Sequence, residues 1–124
     1  MTRRIMVVDD DAALRYTLKE ILEDEGRDVV AAEDGYQAIR QASESKISLI
    51  FMDIQMPGIN GVEAFMEIKK ILPDCVVVMM TGFSVEDLVK KALSEGAYTV
   101  LHKPIAVERV LEILEQVVPE TIPY

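Results

Sequence analysis

Four apolar segments of this sequence each run straight into a polar group that could do chemistry. Asp9 and Asp10 follow Ile5-Met6-Val7-Val8, Asp53 follows Leu49-Ile50-Phe51-Met52, Thr81 follows an apolar run over 76–80, and Lys103 closes a shorter run that begins at Tyr98. Three carboxylates brought together repel one another unless a cation sits among them. An all-oxygen ligand set, with no neighbouring His or Cys pair, favours Mg²⁺ over zinc and leaves room for water and a phosphoryl oxygen. Lys103 offers a compact positive charge and Thr81 a hydroxyl donor, both suited to phosphoryl oxygens. A carboxylate nucleophile, a metal and a lysine together describe phosphoryl transfer to an aspartate, with Asp53 as acceptor.

These residues need a fold that gathers them. The run over 5–8 has the pattern of a strand buried on both faces. Leu14, Leu18, Ile21 and Leu22 then recur at helical spacing over 11–25, with Gly26 as the stop. The alternation continues with strands at 29–32, 48–53, 76–81 and 98–101 and helices at 36–43, 62–72, 85–94 and 107–118. Five strands alternating with five helices through short connections imply an α/β fold with a parallel sheet covered on both faces. Such sheets bind ligands beyond the carboxyl ends of their strands, where this chain places its polar set.

Composition narrows the function classes. With 22 acidic against 13 basic residues and a formal charge of −9, the chain lacks the clustered Lys and Arg of a nucleic-acid surface, so no direct nucleic-acid binding is expected. No apolar run approaches the roughly 20 residues needed to span a bilayer, and the N-terminus has no signal-peptide pattern, so a soluble, cytoplasmic protein without membrane contact is expected. Cys75, the single cysteine, lies in an apolar run and reads as a small core side chain in a reducing compartment. One domain is expected over 1–118, with 119–124 either a tail or the start of a linker.

The chain resembles a response regulator receiver domain over essentially its whole length. The matching pieces are Ile5-Met6-Val7-Val8-Asp9-Asp10-Asp11, Asp53-Ile54-Gln55-Met56-Pro57-Gly58-Ile59-Asn60-Gly61, Met80-Thr81-Gly82 and Lys103-Pro104, in the family's order and spacing. The resemblance implies a doubly wound, flavodoxin-like receiver fold with strand order 2-1-3-4-5. It implies Asp53 as phosphoacceptor, Asp10 as a direct Mg²⁺ ligand, Asp9 as a ligand acting mainly through water, and the Gln55 carbonyl completing the protein ligands, with Mn²⁺ as a substitute ion. Thr81, the Gly82 amide and Lys103 would hold phosphoryl oxygens, and the Lys103–Pro104 bond would be cis. The implied donors are a phosphohistidine on a sensor histidine kinase or histidine phosphotransfer protein, or acetyl phosphate. The implied readout is a downstream effector or a linked output domain, with homodimerisation through the fourth helix, fifth strand and fifth helix. Its only catalysis would be its own phosphorylation and dephosphorylation.

One position departs from the family. Many receivers carry Tyr or Phe three residues before the lysine, whereas this chain has Val100; Thr81 is expected to repack Val100 on phosphorylation. Phe83, two residues past Thr81, is expected to restrict water at the acyl phosphate. Asp11 is expected to cap the first helix rather than bind metal, and Ser84 to cap the fourth. His102 alternates away from Lys103 and is a surface or packing residue. The methionines fill core gaps. The competing readings are a pseudo-receiver that signals without phosphate and an α/β phosphatase or nucleotide-binding protein. The latter two lack an acid at Gln55 and any phosphate-binding glycine motif.

Overall fold

Each apolar run becomes a strand, and all five strands pair in parallel. The computed structural model describes residues 3–82 and 85–120. The order is β1 (Arg4–Val8), α1 (Ala12–Asp24), β2 (Val29–Ala32), α2 (Gly35–Glu44), β3 (Ile47–Asp53), α3 (Gly61–Ile71), β4 (Val76–Thr81), α4 (Glu86–Ser94), β5 (Thr99–His102) and α5 (Val107–Val117). The expectations for Phe83, Ser84 and 121–124 lie outside the described residues.

The sheet runs β2-β1-β3-β4-β5. From β1 the chain steps outward to β2 and then returns to the other side of β1 as β3. That reversal between β1 and β3 opens a crevice at their carboxyl ends.

Alternation along each strand divides the interior into two cores. Ile5 and Val7 of β1, Leu49 and Phe51 of β3, and Val78 and Met80 of β4 pack with Leu18 and Leu22 of α1 and Val110, Ile113 and Leu114 of α5. Met6, Val8, Ile50, Met52, Val77 and Met79 pack instead with α2, α3 and α4 through Ala38, Ala42, Phe65, Ile68 and Ala92. Met6, Met52, Met79 and Met80 are fully buried, so these methionines are packing residues.

Short polar side chains start α1, α2 and α3, whereas α4 and α5 begin without a side-chain cap. Asp11 accepts from the Ala13 and Leu14 N–H groups at 3.0 and 3.3 Å, the expected cap of α1. Asp34 accepts from Gln37 at 2.8 Å at the start of α2. Asn60 and Glu63 exchange side-chain and backbone hydrogen bonds, each of 2.9 Å, in a capping box that fixes the start of α3. Cys75 corrects the sequence reading. β4 begins at Val76 as expected, and Cys75 belongs to the turn closing α3, its N–H donating to the Leu72 carbonyl at 3.1 Å. It is half-buried rather than a core residue, yet burial still pushes its thiol up to about 12. Among the described residues no helix is long and apolar enough to cross a membrane.

Candidate functional site

Strand register assembles the site. Val8 pairs with Met52, so Asp9 and Asp53 emerge side by side at the ends of β1 and β3. Both continue the parity of the α1/α5 face. Asp53 pairs in turn with Met80, which places Thr81 one residue beyond it on β4. Thr81 pairs with His102, and the next residue, Lys103, donates its N–H to the Thr81 carbonyl at 2.8 Å. Asp9, Asp53 and Thr81 are the buried polar side chains among the described residues, and all three meet at this one edge of the sheet. Buried polar groups concentrated in one place require a local reason, because each is costly unless paired.

Asp9 is fully buried and Asp10 is exposed, and carboxylate oxygens of Asp9, Asp10 and Asp53 lie within 4.8 Å of one another. The Asp9 Oδ1 accepts the Asp11 N–H at 2.9 Å. Its Oδ2 is buried without an aligned hydrogen bond and faces the Lys103 ammonium at 2.9 Å, as an ion pair. Lys103 also donates to the Asp53 Oδ2 at 3.3 Å, while the Asp53 Oδ1 accepts the Gln55 N–H at 3.3 Å. The lysine stem runs past Gly82, where a Cβ would meet the Lys103 Cδ at 3.5 Å, and the Lys103–Pro104 peptide bond is cis. Gln55 is exposed beside the cluster, and His102 is also exposed. Val100 is half-buried, lies opposite Met79 and packs against the core of α2, α3 and α4, away from the carboxylates.

The electrostatics follow from this crowding. Burial, and then the negative charge of Asp9, push the Asp53 carboxyl up to about 6, although Lys103 and the Gln55 N–H pull the other way. Burial lowers the Lys103 ammonium, but its close contact with Asp9 and the charges of Asp53 and Asp9 outweigh this and hold it above its usual 10.5. One lysine therefore balances three carboxylates only in part. A hard divalent cation fits here, since the donors are all oxygens and the buried Asp9 Oδ2 has no aligned donor of its own.

Two residues to which the sequence assigned no role, Gly61 although it ends a matching motif, also shape the site. Arg15, one turn into α1, donates its Nη1 to the Asp9 carbonyl at 2.8 Å. Its sequence signal was faint, an arginine one helical turn after the acids. Gly61 starts α3 against β3, its N–H donating to the Ile54 carbonyl at 2.7 Å, and a Cβ there would collide with the Asp53 carbonyl oxygen and lie 2.9 Å from the Ile54 Cα. A glycine at a loop–helix boundary looks like a turn residue in sequence. Here it permits a close backbone approach.

Comparison with known proteins agrees with this geometry. The pattern of the response regulator receiver domain family matches residues 5–115. The chemotaxis protein CheY of Bacillus subtilis (strain 168) is 38% identical over 117 residues, which cover 94% of this chain and 98% of that protein. The transcriptional regulatory protein PdtaR of Mycobacterium tuberculosis (strain H37Rv) is 37% identical over 116 residues, 91% of this chain but 55% of that longer protein. Among solved structures, a CheY-like receiver domain protein from Methanospirillum hungatei JF-1 superposes with a TM-score of 0.89 at 28% identity, covering 94% of this chain and 93% of its own. The beryllofluoride-activated NtrC4 receiver domain dimer superposes with a TM-score of 0.85 at 36% identity, covering 92% and 94%.

Proposed function

Because the chain belongs to the response regulator receiver domain family, we propose that it is a cytoplasmic phosphorylation switch in which Asp53 accepts a phosphoryl group. The observation that carries this reading is the burial of Asp9, Asp53 and Thr81 together with Lys103 at the β1/β3 crevice. Asp53 supplies the nucleophilic oxygen. That oxygen forms the new bond to phosphorus as the bond to the donor imidazole nitrogen breaks, and the nitrogen leaves with the bonding pair. Asp9, Asp10, Asp53 and the Gln55 carbonyl would hold Mg²⁺, which supplies charge neutralisation on the phosphoryl oxygens when bound. Mn²⁺, equally an oxygen-seeking ion, would substitute.

Lys103 is already between Asp9 and Asp53, so it needs little movement to pair with an incoming phosphoryl oxygen. Thr81 and the Gly82 amide would donate to the remaining oxygens. The donor would be a sensor histidine kinase, a histidine phosphotransfer protein or acetyl phosphate. With Val100 where many receivers have an aromatic ring, the switch would run through a smaller side chain: Thr81 shifts toward the phosphoryl group, Val100 repacks, and the α4–β5–α5 face changes. An effector, an output domain or a second copy would read that face.

Incubation with acetyl phosphate and Mg²⁺, followed by intact mass measurement, tests the chemistry. One added phosphoryl group that is absent in Asp53→Ala is expected. No added mass in the wild type would instead favour a pseudo-receiver.

A further inference from the structure

Asp9 is gripped from both sides by backbone hydrogen bonds. Its N–H donates to the Ala32 carbonyl at 3.2 Å, which ties the end of β1 to the end of β2. Its own carbonyl accepts the Arg15 Nη1 at 2.8 Å, which ties it to α1. Arg15 is mostly buried, with a side-chain exposure of 19%, and its Nη2 lies 3.9 Å from the Glu33 carboxylate at the start of the β2–α2 connection. The Glu33 contact is long and exposed, so it contributes little by itself. The charge-assisted bond to a buried carbonyl is the stronger element.

The placement has a consequence for the acids. Asp9 and Asp10 are consecutive in a turn of three residues between β1 and α1, and Asp11 is committed to capping α1. The Asp9 carbonyl belongs to the peptide that joins the two acids, so a contact fixing its direction also constrains the backbone from which the exposed Asp10 carboxylate leaves. Arg15 makes that contact.

We propose that Arg15 is a positioning residue for the cation site, acting through the Asp9 carbonyl and touching neither metal nor phosphoryl group. The inference rests on the proposed reading of Asp9, Asp10 and Asp53 as cation ligands. It opposes the simplest electrostatic expectation. Removing a positive charge near an acidic cluster should tighten cation binding, whereas removing a positioning contact should weaken it, as loss of an outer-shell partner typically does by about 10–100-fold.

The experiment is Mg²⁺ titration of the full chain, without any phosphodonor, followed by amide chemical shifts and calorimetry. Arg15→Met and Arg15→Gln are each expected to weaken Mg²⁺ about tenfold, and Arg15→Lys, which keeps the charge and one donor, to recover most of that loss. Thermal unfolding in EDTA, run in parallel, separates a general loss of stability from a specific loss of affinity. Unchanged or tighter Mg²⁺ binding in both neutral variants overturns the positioning role and leaves the cation site standing. A wild-type chain that binds no Mg²⁺ overturns the site reading and the inference with it.

Discussion

Replacing Asp53 by Asn should make the metal-free protein more stable, although it removes the proposed phosphoacceptor. In the unfolded chain this carboxyl ionises near its usual 3.8, and in the folded protein burial and Asp9 push it up to about 6. At about 1.4 kcal/mol per pH unit, that displacement destabilises the fold by about 3 kcal/mol wherever Asp53 is ionised in both states. The full penalty is present above about pH 6, falls to roughly half by pH 5, and vanishes below the unfolded value, where both states are protonated. The attraction of Lys103 is already included in this balance, and Lys103 keeps Asp9 at 2.9 Å after the substitution. Asp53→Asn should therefore exceed the wild type by about 3 kcal/mol at pH 7.5 in EDTA, equivalent to about 10 °C in Tm for a domain of this size. Urea unfolding monitored by circular dichroism at pH 7.5, 5 and 4 measures the difference directly. Mg²⁺ at about 100 times its Kd should stabilise the wild type by about 2.7 kcal/mol and nearly close the gap. An Asn variant no more stable than the wild type at pH 7.5, or an advantage that persists undiminished at pH 4, would refute the reasoning.

Lys103→Gln removes the ammonium that faces both Asp9 and Asp53, so Mg²⁺ should bind about tenfold tighter, or about 1.4 kcal/mol, while phosphorylation by acetyl phosphate slows; calorimetry and intact mass check the two halves. Asp11→Ala should lower stability by about 1 kcal/mol through loss of the α1 cap and change Mg²⁺ affinity less than about twofold, since its carboxylate is occupied at the helix start. Gly61→Ala should lower stability by about 1–3 kcal/mol in denaturant unfolding, because the added methyl meets the Asp53 carbonyl and the Ile54 backbone. The same substitution should slow phosphorylation, because it displaces the acceptor residue itself.

Sequence reading reached the fold because hydrophobic burial, its strongest signal, dominates this chain. The continuous apolar runs at 5–8, 49–52 and 76–80 have the pattern of strands covered on both sides, and the polar groups at their ends, Asp9, Asp53 and Thr81, announced where a site would form. The residues that shape the site from one step away were less visible. Gly61 carries no positive φ and looks like punctuation, yet it matters through a contact with β3 that depends on how α3 docks. Arg15 is an ordinary helix residue by periodicity, and its role comes from a long side chain folding back toward the Asp9 peptide. The burial of Cys75 was overestimated for a simpler reason: membership of an apolar run does not show that a residue at its edge is covered on all sides. The cap at Asp11, by contrast, was legible because its geometry is local.

The two cores on either side of the sheet share almost no side chains, and the carboxylates stand at the rim where they meet. Asp9 and Asp53 follow the parity of the layer built on α1 and α5, whereas Val100 packs into the layer built on α2, α3 and α4. This gives the fold an evolutionary freedom. Each layer packs through its own side chains, so substitutions can repack either one while the sheet keeps Asp9 and Asp53 side by side.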